Sequence, residues 1–139
     1  MLSLENTNPN TTMSHFSKIK TKITNKPALI QALMFDGWPV DINRQLVNPI
    51  GHDHERVMCE VTVGDDMGFV WNKQSQCYEL ITDRQTWNHE IPIERFLEKI
   101  TQLYCIQLLT SVAKSNGFEV ESQKVNSSNA VELVVNRWV

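Results

Sequence analysis

The stretch from Val57 to Thr82 leaves this chain the fewest ways to fold. Val57, Cys59, Val61 and Val63 alternate with Met58, Glu60 and Thr62, the period of a strand with one buried face. Gly64-Asp65-Asp66 is turn chemistry, and Met67, Phe69 and Trp71 resume the alternation on a returning strand. Asn72 to Gln76 makes a second polar turn before Cys77 to Thr82. Strands joined by such short turns must run antiparallel, since a parallel neighbour needs a crossover of about a dozen residues or more. An antiparallel meander is expected here.

The flanking segments add to it. His15, Ser17, Ile19, Thr21 and Ile23 alternate with Phe16, Lys18, Lys20 and Lys22, which reads as a strand with Ile19 and Ile23 inward and the lysines in water. Asn25 is placed as an N-cap and Pro27 near the first helical position, where its missing N–H costs nothing. A helix is expected over Ala28 to Asp36, with Leu29, Ala32 and Leu33 inward. Gly37 ends it as a left-handed residue, and Pro39 prevents continuation. Val40 and Ile42 indicate a short strand, and Asn48-Pro49 and Gly51 a loop.

Pro92 opens the longest helix, in which Ile93, Phe96, Leu97, Ile100, Leu103, Tyr104, Leu108 and Val112 recur at spacings of three and four. Asn116-Gly117 closes it. Phe118 and Val120 alternate with Glu119 and Glu121, Asn126 to Asn129 turn the chain, and Val131 to Trp138 return. The expected fold is α+β: a mostly antiparallel sheet, in the order β-α-β-β-β-β-α-β-β, covered by two helices.

A chain of 139 residues suits one domain, expected over 13–139 behind a disordered tail at 1–12 that is rich in Asn and Thr. Met13 is an alternative start. The net charge of −3 argues against non-specific nucleic-acid binding, which needs a basic surface to displace counterions. Cys59, Cys77 and Cys105, an odd number with no close pair, form neither a disulfide framework nor a zinc ribbon, so reduced thiols are expected. No apolar run is long enough to span a bilayer. Residues 1–12 carry neither a secretory nor a transit pattern.

Five segments together carry a resemblance: MSHFSKIKTKI at 13–23, GFVWN at 68–72 with YEL at 78–80, Asp83 with Trp87, FLEKITQLY at 96–104, and LVVNRW at 133–138. In this order and spacing they resemble the hypothetical chloroplast reading frame thirty-five family of algal plastids and cyanobacteria. The resemblance spans essentially all of 13–139. It implies a place, plastid stroma or cyanobacterial cytoplasm, and carries over no catalytic residue and no cofactor.

Candidate chemistry is sparse. In an extended chain His52 and His54 point the same way and would share a metal, with Glu55 or His89 as a third ligand; a solvated polar loop is the simpler account. His15 shares a strand face with Ser17, but no glycine-rich elbow or oxyanion hole accompanies them. Lys18, Lys20 and Lys22 form a binding strip for an acidic partner or RNA, or else the lysine guard of an edge strand. Glu94 and Glu98 fit favourable charges near a helix N-terminus. Trp38 and Trp87 stand at a helix end and in a loop, where exposed rings would mark a partner surface. The expectation is a non-catalytic binding or adaptor module with a protein partner. The alternatives are a small metal-dependent or hydrolytic enzyme using His15 or the His52–Glu55 loop, and a weak nucleic-acid binder through the lysine strand.

Overall fold

Asn25 decides where the first helix begins, since its Oδ1 accepts the Ala28 N–H at 3.0 Å and satisfies a donor the helix leaves open. The computed structural model, which describes residues 15–48, 55–125 and 131–137, starts α1 there (Lys26–Phe35). At the other end Trp38 N–H reaches the Leu33 carbonyl and Gly37 N–H that of Met34, both at 3.0 Å. Gly37 holds φ at 87°, so the helix closes in a Schellman motif, as its glycine led one to expect. The expected tail at 1–12, the His52–His54 loop and Trp138 lie outside the described residues.

The other elements are β1 (Ser17–Lys20), β2 (Val40–Val47), β3 (Arg56–Val63), β4 (Met67–Asn72), β5 (Cys77–Thr82), α2 (Ile93–Ser115), β6 (Phe118–Val125) and β7 (Val131–Arg137). Their order is the expected one, and the fold class is α+β. Contacts group the chain into two units, Met1–Lys22 with Pro39–Ile93 and Ile23–Trp38 with Glu94–Val139.

The first unit holds an antiparallel sheet in the order β1-β5-β4-β3-β2. The meander is in register, Val61 opposite Phe69 and Phe69 opposite Leu80, and Val61, Val63, Met67, Phe69 and Leu80 are fully buried. Asn72 builds the β4–β5 turn by accepting the Gln74 and Ser75 N–H groups. β2 runs to Val47, well past the short strand expected at Val40–Ile42. Asn43-Arg44-Gln45 breaks the apolar pattern, but pairing with β3 carries the strand through it.

This sheet curls. β2 and β5 are separated by β3 and β4, which in a flat sheet would hold them about 14 Å apart. Yet Leu46, Cys59 and Ile81 share one buried cluster, with Phe16, Val57 and Val70 packed against it. Phe16 is thus engaged in packing, while Lys18, Lys20 and Lys22 on the same side of the alternation are exposed as expected. The curl brings the Asn48 amide to Asp83 at 3.0 Å and the Phe16 N–H to Glu55 at 2.7 Å. Two positions permit it. Asn43 sits at φ 52°, and Gly68 lets Cys59 lie directly on β4, where a Cβ would stand 2.6 Å from the Cys59 Sγ.

In the second unit α1 and α2 run antiparallel. Trp38, just past the end of α1, meets Phe96 edge-on at 5.1 Å, and Lys99 pairs with Asp36 at 3.0 Å. At the start of α1 the Tyr104 hydroxyl oxygen accepts the N–H groups of Thr24 and Asn25 at 3.1 and 3.0 Å. β6 and β7 form a two-stranded sheet of their own, a correction to a single sheet. Alternation identifies a strand but not its neighbours.

Candidate functional site

α1 is an unusual helix. Only Lys26 and Gln31 of its ten residues are polar, so it is apolar on nearly every side, the pattern of a helix meant to be covered all round. Ala28, Leu29, Ala32 and Leu33 are buried, as expected. Met34 and Phe35 are not, at 57% and 74% exposed. Ala28, Gln31 and Phe35 fall at i, i+3 and i+7, so they share one face over about 10 Å.

α2 shows the complementary feature. Its buried line runs Ile93, Phe96, Ile100, Tyr104, and the same helical line continues through Gln107 and Ser111. There, beside the first turns of α1, the seam between the helices opens into a groove of about 320 Å³ lined by Asn25, Pro27, Ala28, Gln31, Gln107, Leu108 and Ser111. None of these side chains is charged. The expected inward stripe through Val112 is corrected here. Val112 is 51% and Leu109 44% exposed, because past Tyr104 the apolar positions rotate away from the line that faces α1.

Trp38 is half-buried, its Nε1 donating to Asp36 at 2.8 Å. Trp87 is half-buried in the other unit, its Nε1 donating to the Ile91 carbonyl at 2.8 Å and its ring edge-on to His89 at 4.5 Å. His89 Nε2 lies 2.7 Å from Asp66, and Asp83, buried, accepts from Gln85 N–H at 2.9 Å as well as from Asn48. The loop from 83 to 92 is therefore strapped to the β3–β4 turn. A His–Asp pair orients an imidazole, but nucleophilic catalysis also needs a hydroxyl or thiol within reach. Thr82, tied to the same turn, spends its hydroxyl on the Asp66 carbonyl at 3.0 Å.

His15 lies 3.8 Å from Glu55 and is largely exposed. Lys18 and Lys20 stand opposite Ile81 and Glu79 on the sheet edge. Among the described residues no cluster of three His, Cys, Asp or Glu side chains is placed to hold a metal ion, and no helix is long and apolar enough to cross a membrane. Burial, aided by Glu60, pushes the Cys59 thiol up to about 11 and raises Tyr78. The hydrogen bonds that Arg44 donates to Asp65 and Asp41 hold its guanidinium still more firmly protonated.

Sequence reasoning singled out Trp38 and Trp87 and passed over Met34, Phe35 and the amide-lined groove. The near-absence of polar residues in α1 was the available signal.

Comparison with known proteins bears on the whole chain. Residues 43–134 match the family described as protein of unknown function DUF1257. Proteins carrying the name uncharacterized protein ycf35 are similar along most of their length. That of Guillardia theta is 32% identical, over 91% of this chain and 98% of its own. Those of Pyropia yezoensis and Cyanophora paradoxa are each 30% identical over the same shares. No solved structure matches. The five segments that carried the resemblance, the α+β fold and these full-length similarities agree, and the chain belongs to the DUF1257, or ycf35, family.

Proposed function

We propose that this protein is a non-catalytic binding module of the plastid or cyanobacterial compartment that takes a protein partner along α1. The observation behind this is the exposed Phe35 on the same α1 face as the open end of the α1–α2 seam. A knob and a groove on one face suit an amphipathic helix laid along α1, with apolar anchors at each end. The uncharged lining, with amides from Asn25, Gln31 and Gln107, favours a peptide over nucleic acid, whose phosphates need cations. Trp38, three residues beyond Phe35, extends the surface with a large ring of the kind enriched at interface centres. The compartment is inferred from the algal relatives.

A photo-crosslinker at Phe35 and another at Gln107, used in extract of the native compartment, should capture the same protein. Phe35→Ser should abolish capture from Gln107. Equal capture from Lys73 on the β4–β5 turn, or capture of different species from the two positions, would refute the reading.

A further inference from the structure

The α1 face carries both halves of a contact. Met34 and Phe35 project near one end, 57% and 74% exposed. The groove, to which α1 contributes Pro27, Ala28 and Gln31, lies toward the other. A face with only a knob, or only a groove, needs a different surface as its partner. One that holds both can close on a copy of itself, because a two-fold contact makes each patch supply what the other takes.

The spacing suits that symmetry. Pro27, Gln31 and Phe35 form one i, i+4 row on α1, and such rows interdigitate in the commonest class of helix pair. Let two α1 helices cross antiparallel with Gln31 on the two-fold axis. Phe35 of one copy then comes level with Pro27 of the other, and Met34 with Ala28, so each exposed pair meets the groove of the second copy. Charge suits it as well. A residue on a two-fold axis meets its own kind, and a charged one would repel itself. Gln31 is exposed and neutral, and its amide holds both donors and an acceptor, so two of them can hydrogen-bond to each other. The rest of the groove lining is uncharged too.

We propose that the occupant of the α1 face is a second copy of this chain, held by an antiparallel α1–α1 contact with Phe35 seated in each groove. This rests on the reading of α1 as a docking surface and names its partner.

Sedimentation of the purified full chain over a concentration series should show a monomer–dimer equilibrium. Gln31→Glu and Gln31→Lys each set like charges on the axis and should weaken dimerisation by about tenfold or more. Both new side chains are good helix formers at an exposed position, so α1 is kept. An equimolar mixture of the two variants replaces the repulsion by a Glu–Lys pair, and native mass spectrometry should find the heterodimer in excess of either homodimer. A chain monomeric at every concentration, a dimer indifferent to both charges, or a mixture that stays monomeric would overturn the proposal. Photo-crosslinkers at Phe35 and Gln107 separate its failure from that of the docking surface. Capture of one different protein by a monomeric chain would remove the second copy and keep α1 as the docking face, whereas no capture at all would remove both.

Discussion

Replacing Gly68 by alanine tests the account of the curled sheet. The new methyl carbon would stand 2.6 Å from the Cys59 Sγ, and 3.0 Å from both the Cys59 Cβ and the Val61 carbonyl oxygen. Favourable carbon contacts lie at about 3.5–4.0 Å, so β3 and β4 must separate by up to about an ångström or Cys59 must leave its place beside Leu46 and Ile81. Overpacking of this kind costs about 1–3 kcal/mol. For a chain of this size that lowers the melting temperature by roughly 3–5 °C per kcal/mol. Cys59→Ala removes the sulfur and alone should cost about 1 kcal/mol. With it gone, the alanine methyl enters the vacated space, so the double variant should be more stable than the sum of the two by about 1–2 kcal/mol. The Val61 carbonyl keeps the recovery incomplete. Urea unfolding of the four proteins measures this cycle. Gly68→Ala within about 0.5 kcal/mol of the parent, or strict additivity with Cys59→Ala, would refute the close approach of β3 to β4.

Tyr104→Phe removes the acceptor of two backbone N–H groups just before α1 and should cost about 1–3 kcal/mol in urea unfolding; a neutral result would show that water replaces the phenol. Asp83→Asn turns the acceptor facing the Asn48 amide partly into a donor and should destabilise by a similar amount, about 1–3 kcal/mol, with faster amide exchange at Gln85 as the local sign. The Cys59 thiol is held protonated up to about 11 against an ordinary 9.0, so the unfolded chain releases that proton first. Its contribution is therefore intact below pH 9 and declines as pH rises through 11, and stability against pH should flatten over that range in Cys59→Ala. A single domain over 13–139 predicts one cooperative thermal transition; two resolved transitions would refute it.

Local signals were legible wherever the physics is local. Asn25 caps α1 with its own side chain, Gly37 takes a φ that other residues resist, and Gly64 and Asn72 build the turns that make three strands a meander. Each needs only neighbours within a few residues, and those neighbours are in the sequence. The candidate surface was half legible. Trp38 stood out as a large ring at a helix end, whereas Met34 and Phe35 looked like more core in an apolar helix. Whether an apolar side chain is covered depends on what packs beside it.

The sequence by itself determined the element order, both helices with their ends, and the strands and turns of the meander, because alternation, capping and turn chemistry act over short range. The tertiary structure alone decided that β6 and β7 make a separate sheet and that β2 curls back until Asn48 reaches Asp83. It also decided that the α1–α2 seam opens past Tyr104 into an uncharged groove. These depend on pairs tens of residues apart, where a missing Cβ at Gly68 or a positive φ at Asn43 settles the geometry and no periodicity records the outcome.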